Sequence, residues 1–228
     1  MGYHDIAIFG AGGFGLEVCA LIQQINAVAP QWRMLGFFDD HKPAGCSIND
    51  FTVLGAMNTL NRWPTPLAVV VAIGTPRTRQ AFVERIENPK ISYPVLIHPT
   101  AIAGNAKYMR IGEGSIVCAG TIFTTNIIIG RHVIFNLMCT VGHETTVDDY
   151  CSFMPGCNIS GEVIVGKASY WGTGAKIINR KSVGKNTLIG AGAVVTTDIP
   201  DNVTAVGVPA RIMQNAETTL LRKRESAQ

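Results

Sequence analysis

From Ile111 to Val195 every sixth residue is large and apolar, without exception over fifteen units. Eleven of these are Val or Ile, and the other four are Phe123, Phe135, Phe153 and Trp171. At 47% apolar usage, such a run arises by chance only about once in 10^5 trials for one register. No α-helix can use this beat, because 3.6 residues per turn would smear it around the cylinder. A short extended segment followed by a corner can: the β-branched residue points inward and the chain then bends. The next residue is Gly in seven units, at 112, 130, 142, 166, 172, 184 and 190, which suggests a glycine-assisted bend. The fifth position is usually small, as at Ser115, Thr121, Thr145, Ala175 and Ala193. The period predicts a β-solenoid.

Before the repeat the chain reads differently. "DIAIFG" is a short apolar strand, "AGGFGLEVCALIQQIN" a glycine turn opening a helix, "RMLGFFDD" a second strand, "LAVVVAIGT" a third and "TRQAFVERIEN" a helix. This alternation predicts a small parallel α/β unit. Gly10, Gly12 and Gly15 have the G-x-G-x-x-G spacing between strand and helix, where a bare backbone lets a phosphate approach a helix N-terminus. The α/β region is too short for a complete two-halved dinucleotide-binding sheet but suits one nucleotide. "YPVLIHPTAIAGNAKYM", with Pro94 and Pro99, links the halves. The expected organisation is residues 1–92 as a Rossmann-like domain, 93–213 as the solenoid and 214–228 as a tail.

Composition closes off other classes. A formal charge of +3 without basic runs interleaved with aromatics argues against nucleic acid, and "LLRKRES" reads as a solvated helix end. No apolar run approaches the ~18 residues that would span a bilayer, and the start has neither a charged n-region nor a cleavage site. A cytoplasmic protein without membrane contact is expected. The six cysteines lack metal or redox spacing, so reduced thiols and no metal are expected.

Among five histidines, His132 falls on a fourth, corner position expected to face solvent, and His143 falls on a third, also outward. A lone surface histidine is usually inert, but Glu144 follows at once and can orient an imidazole. One coil later stands Gly161, whose missing side chain should leave a gap for a thioester carbonyl. Its backbone N–H is the candidate donor to an oxyanion.

The six-residue repeat resembles that of the left-handed parallel β-helix acyltransferases, in which three hexads make a coil. Fifteen hexads then imply five coils, at roughly the 4.8 Å spacing of strands. "GAGGFG", "FFDD", "VAIGT", "LIHPTA" and the closing "VGVPARIM" together resemble bacterial acetyl-CoA-dependent N-acetyltransferases of nucleotide-linked 4-amino-4,6-dideoxy sugars, relatives of the sialic acid O-acetyltransferases. The resemblance covers about residues 5 to 213.

It implies an α/β domain that binds the nucleotide sugar rather than NAD. Gly12, Gly13 and Phe14 would lie against the diphosphate or sugar, Asp39 and Asp40 against base or ribose, and Gly74 and Thr75 along the same cleft. For the two aspartates a plain strand-end turn stays open. The resemblance makes His143 the catalytic base, with Glu144 behind it, acting by direct transfer in a ternary complex. It places Asn136 near the hexose, Ser152 near the thioester, Thr173 and Ala191 along the pantetheine arm and Arg211 at a phosphate, with a structural role open for Asn136 and an ion pair for Arg211. It also implies a homotrimer with active sites between subunits, in a polysaccharide-building pathway such as O-antigen synthesis. The competing readings are a sugar O-acetyltransferase, a non-catalytic sugar-nucleotide sensor and an NAD-dependent oxidoreductase.

Overall fold

The computed structural model describes residues 3–104 and 106–213; the basic tail lies outside the described residues. The N-terminal part is a six-stranded sheet built from β1 (His4–Phe9), β2 (Trp32–Phe38), β3 (Ser47–Ile48), β4 (Phe51–Gly55), β5 (Leu67–Val71) and β6 (Ile91–Ser92), in the order β3-β4-β2-β1-β5-β6. All neighbours run parallel except the β3–β4 hairpin. Helices α1 (Gly13–Val28), α2 (Met57–Asn61) and α3 (Pro76–Glu84) connect them. β5, "LAVVV", is buried along its whole length, as expected of a strand covered on both faces. The chain moves from β1 leftward to β2 and later rightward to β5, so a topological switch point opens at the carboxyl ends of β1 and β5. The strands and helices expected from the sequence are present, with β3, β4, α2 and β6 in addition.

The solenoid is a three-faced prism whose strands run parallel except the last, Arg211–Ile212, which pairs antiparallel with Thr204–Val206. Its first face is an eight-stranded sheet that begins with β7 (Leu96–Ile97), inside the segment that joins the halves, and its second and third faces hold five strands each. The chain passes from first to second to third face and back. Residues 18 apart pair, as in Ile134↔Ser152 and Thr140↔Asn158. The solenoid exceeds the expected five coils at both ends. Leu96 pairs with Ile116 at a spacing of 20, and Leu188 with Thr204 at a spacing of 16. Those terminal coils are two residues too long and two too short, which puts them off the six-residue beat.

The hexad apolar residues fill the prism. Phe135 and Phe153 stack at 4.7 Å, with an interplanar angle of 1°, Phe153 meets Trp171 at 5.5 Å, and Phe123 meets Phe135 edge-on. Cys139, Cys151 and Cys157 are fully buried in the same core, and all six cysteines are free thiols.

The bend differs from the expected glycine bend. The fourth residue of every hexad from Gly114 to Gly192 has a positive φ, including bulky Met138, Tyr150 and Arg180. The recurrent second-position glycine has no such φ and serves close stacking instead. A Cβ on Gly142 would stand 2.5 Å from the Gly161 nitrogen, and one on Gly112 would stand 2.6 Å from the Gly130 carbonyl carbon.

The first face carries the N-terminal domain. Leu96, Ile116, Cys118 and Ile134 join the core cluster formed by α1, β1, β2 and β5. This docking overturns the expected exposure of His132. Its residue is 3% exposed, its ring stacks on Tyr150 at 5.3 Å and meets Tyr93 edge-on at 4.9 Å, and Nδ1 has no hydrogen-bond partner. Burial and the nearby Arg79 and Arg131 guanidinium groups pull its pKa down to about 4. No described helix is long and apolar enough to cross a membrane.

Candidate active site

The corner from second to third face holds His143 and Glu144. Both side chains are more than half exposed, and His143 Nδ1 lies 3.1 Å from Glu144 Oε2. An ionised carboxylate can only accept, so Nδ1 is a donor, and in the neutral ring the lone pair then lies on Nε2. Glu144 has φ 57°, the fourth-position geometry that turns its side chain back alongside the histidine.

The ring rests on Gly161. A Cβ there would stand 2.5 Å from His143 Nε2 and 2.7 Å from Cε1. The expected gap for a thioester carbonyl is therefore filled by the imidazole itself, and the glycine serves to let the ring lie against backbone. The Gly161 N–H makes none of the solenoid's backbone hydrogen bonds, while its carbonyl accepts from Arg180. Glu162, not singled out from sequence, donates its N–H to the His143 carbonyl at 2.7 Å. Its carboxylate is held by Arg180 Nε at 3.0 and 3.1 Å. Among the described residues His143, Glu144 and Glu162 alone group three ligand atoms within 4.8 Å. They form a solvent-open column of polar side chains closed by the Arg180–Glu162 ion pair.

The nucleotide-side candidates gather at the switch point. Gly12 caps α1, and Cβ atoms on Gly12 or Gly13 would meet nothing within 4 Å, leaving room for a phosphate. Phe14 is half-buried and packs on the domain core, away from a purely ligand-facing role. Asp39 Oδ2 accepts from the Ala11 N–H and Oδ1 from the His41 and Lys42 N–H groups, at 2.8, 2.8 and 3.1 Å. Burial alone would raise its pKa, but these three donors outweigh that and hold it below the usual carboxylate value. Asp40 accepts from the Met57 N–H and pairs with Arg85 at 3.2 Å. Both aspartates thus brace the loops around the cleft. Gly74 and Thr75 follow β5, and Thr75 lines an open cavity of about 320 Å³ with Pro76, Arg77, Tyr170, Asn186 and Leu188.

Ser152 lies on the first face. It is fully buried under the N-terminal domain, and its hydroxyl donates to the Gly74 carbonyl at 2.7 Å. Sixth hexad positions on the first face point at that domain, and this serine is one of them. Asn136, Thr173 and Ala191 share the corner from first to second face. Asn136 is 6% exposed, and its Oδ1 accepts from the Leu137 N–H at 2.7 Å. Thr173 and Ala191 are exposed on adjoining coils, joined by the Gly192 N–H donating to the Thr173 carbonyl. Arg211 is exposed and donates to the Ala210 carbonyl; among the described residues it makes no ion pair. Within one chain, the His143 corner and the Asn136–Thr173–Ala191 corner are different edges of the prism.

A hexapeptide solenoid with a His–Glu corner seated on a glycine, joined to a small α/β domain with an open glycine turn, defines a hexapeptide acyltransferase that handles a nucleotide-bearing acceptor. Residues 5–86 match the PglD N-terminal domain family. GDP-perosamine N-acetyltransferase of Escherichia coli O157:H7 is 33% identical over 220 residues, which cover 93% of this chain and 98% of that protein. This chain belongs to the nucleotide-sugar N-acetyltransferases of the hexapeptide acyltransferase superfamily. A variant of perosamine N-acetyltransferase from Caulobacter crescentus, solved in complex with CoA and GDP-perosamine, is similar with a TM-score of 0.81 at 29% identity, over 94% of this chain and 98% of that one. The acetyltransferase domain of PglB from Neisseria gonorrhoeae FA1090, in complex with acetyl coenzyme A, is similar with a TM-score of 0.82 at 33% identity, over 93% and 100%.

Proposed function

We propose that this protein transfers the acetyl group of acetyl-CoA to the amino group of a nucleotide-linked 4-amino-4,6-dideoxy sugar, with His143 as general base. The observation that carries this reading is the His143–Glu144 pair seated on Gly161 at an open corner of an acyltransferase solenoid. In the reaction the amine nitrogen attacks the thioester carbonyl carbon. The proton it loses passes to His143 Nε2, the C–S bond breaks, and the sulfur takes up the proton to leave as the CoA thiol. Glu144 holds the imidazole through Nδ1. The free N–H of Gly161 is the donor to the developing oxyanion, an interaction worth about 3 kcal/mol.

Transfer is direct. Cys139 and Cys151 are the nearest thiols in sequence, both are fully buried, and burial pushes Cys151 up to about 11. Neither supports an acyl-enzyme. The nucleotide sugar is assigned to the switch-point cleft with Gly12, Gly13, Gly74 and Thr75, and the pantetheine arm to Thr173 and Ala191. The Thr173–Ala191 corner and His143 occupy separate edges of one prism, which supports a homotrimer whose sites join one chain's histidine to a neighbour's corner. No metal enters the scheme. A cytoplasmic location agrees with six unpaired thiols.

The test is incubation with acetyl-CoA and a panel of nucleotide-linked amino sugars, GDP-perosamine included, with sialic acid alongside. Thiol release and acetylated amine should appear only with amino sugars. Release with sialic acid alone would move the reading to an O-acetyltransferase, and no release with any acceptor would favour a sensor.

A further inference from the structure

Arg79, on α3, is 1% exposed and among the described residues pairs with no carboxylate. Its guanidinium meets five backbone carbonyls. Nε donates to His132 at 3.0 Å, Nη1 to Ile73 and Gly74 at 2.6 and 3.2 Å, and Nη2 to Tyr150 and Cys151 at 2.8 and 3.1 Å. Ile73 and Gly74 belong to the loop after β5, beside the switch point. His132 and Tyr150 are fourth-position residues of successive coils, at the corner from third to first face. One planar group thus joins the loop of one domain to two coils of the other. Ser152 adds a sixth polar link through the Gly74 carbonyl.

A buried cation without an anion is a poor source of stability, since a well-packed apolar side chain at such a site is often neutral or better. Burial draws the Arg79 pKa down to about 9, so the group still carries its charge at neutral pH. What arginine supplies here is direction: its rigid fork fixes five acceptors at once, which the point charge of a lysine cannot do. The loop it grips has one free side. A Cβ on Gly74 would meet nothing within 4 Å, and Thr75 lines the cavity that runs along the same corner past Ala168 and Asn186. Clamped on its carbonyl side and open on its Cα side, the loop is built to present its backbone to a ligand at a set height on the prism.

We infer that Arg79 is a positioning residue for the acceptor substrate: it sets the loop 73–75 on the solenoid so that the nucleotide sugar is held at the distance the acetyl transfer requires. The inference rests on the proposed function for its kinetic readout. In the full-length protein, Arg79→Lys should raise the KM for the nucleotide sugar about tenfold while the KM for acetyl-CoA stays within about twofold. Ser152→Ala, which removes only the accessory link and keeps the core, should shift the sugar KM in the same direction by about two- to threefold. Unchanged KM values in a folded Arg79→Lys protein would overturn the inference, as would parallel loss of both substrates' affinities. Should Arg79→Lys fail to fold, an unchanged sugar KM in Ser152→Ala overturns it alone. If the wild-type protein transfers no acetyl group, the functional reading fails separately. The clamp is then read by hydrogen exchange at the residue-79 amide, which donates to the Thr75 carbonyl and should exchange about tenfold faster in Arg79→Lys; equal rates would sink it.

Discussion

The imidazole of His143 lies on the backbone of Gly161 one coil later, with Nε2 2.5 Å from the point a β-carbon would occupy. The ring has backbone beneath it and Glu144 on Nδ1, while the Glu162 N–H holds the main-chain carbonyl of His143. Only Nε2 is left for chemistry. In the proposed reaction, a base whose orientation is set before substrate arrives needs little rearrangement in the transition state.

His143→Ala should lower kcat by ~10^2–10^4-fold, the usual range for losing a general base. The side chain is more than half exposed, so the unfolding midpoint should hardly move. Steady-state thiol release from acetyl-CoA checks the rate. Activity near wild type would remove His143 from the mechanism.

Gly161→Ala puts a methyl group where the ring now sits. The φ of Gly161 is not in the left-handed region, so the backbone tolerates alanine and the exposed imidazole swings aside. Displacing a catalytic group by about 1 Å can cost about 100-fold, and kcat should fall accordingly with the KM values little changed. An alanine variant with full kcat would show that the seat is irrelevant.

His132 makes stability depend on pH. Its folded pKa of about 4 lies below the ordinary 6.5 because burial first, and then Arg79 and Arg131, disfavour the charged ring, against a small opposing pull from Asp149. Between these two values the unfolded chain binds more protons, so stability falls as pH drops from 6.5 toward 4, by roughly 3 kcal/mol in all. Asp39 and Asp149, both with lowered pKa, act below that window. Urea unfolding at pH 7 and 4.5 reads the loss, and His132→Phe should flatten it while keeping a ring on Tyr150. An equal loss in that variant would assign the acid sensitivity elsewhere.

Phe153 sits between Phe135 and Trp171 in the prism core and is fully buried. Phe153→Ala should cost about 3–5 kcal/mol, visible as a lower urea midpoint. A shift under about 1 kcal/mol would mean that the coils slide to close the cavity.

Sequence reading succeeds where one residue type must recur for one local reason. Fifteen hexad residues specify the prism, and the third position of its hexad specifies an outward-facing imidazole at His143. It fails where two segments distant in sequence meet. His132 and Ser152 look like any other corner and outward residues of the repeat, yet both are buried because the N-terminal domain docks on the first face. Arg79 stands in "PRTRQAFVE" among other polar residues, and nothing local marks it as the one whose fork closes on the solenoid. Asp39 and Asp40 carry the right chemistry for a ligand, but their oxygens are engaged by Ala11, His41, Lys42, Met57 and Arg85.

By itself the sequence determined the period, hence strands that pair at 18 residues, apolar residues inside and a histidine outside, since each follows from side-chain direction and hexad position alone. Only the tertiary structure decided which face is covered, which edge carries which candidate, and that the glycine beside His143 is a seat for the ring. Those depend on contacts across separations as long as Arg79 to Cys151, where backbone carbonyls rather than side-chain identities provide the partners.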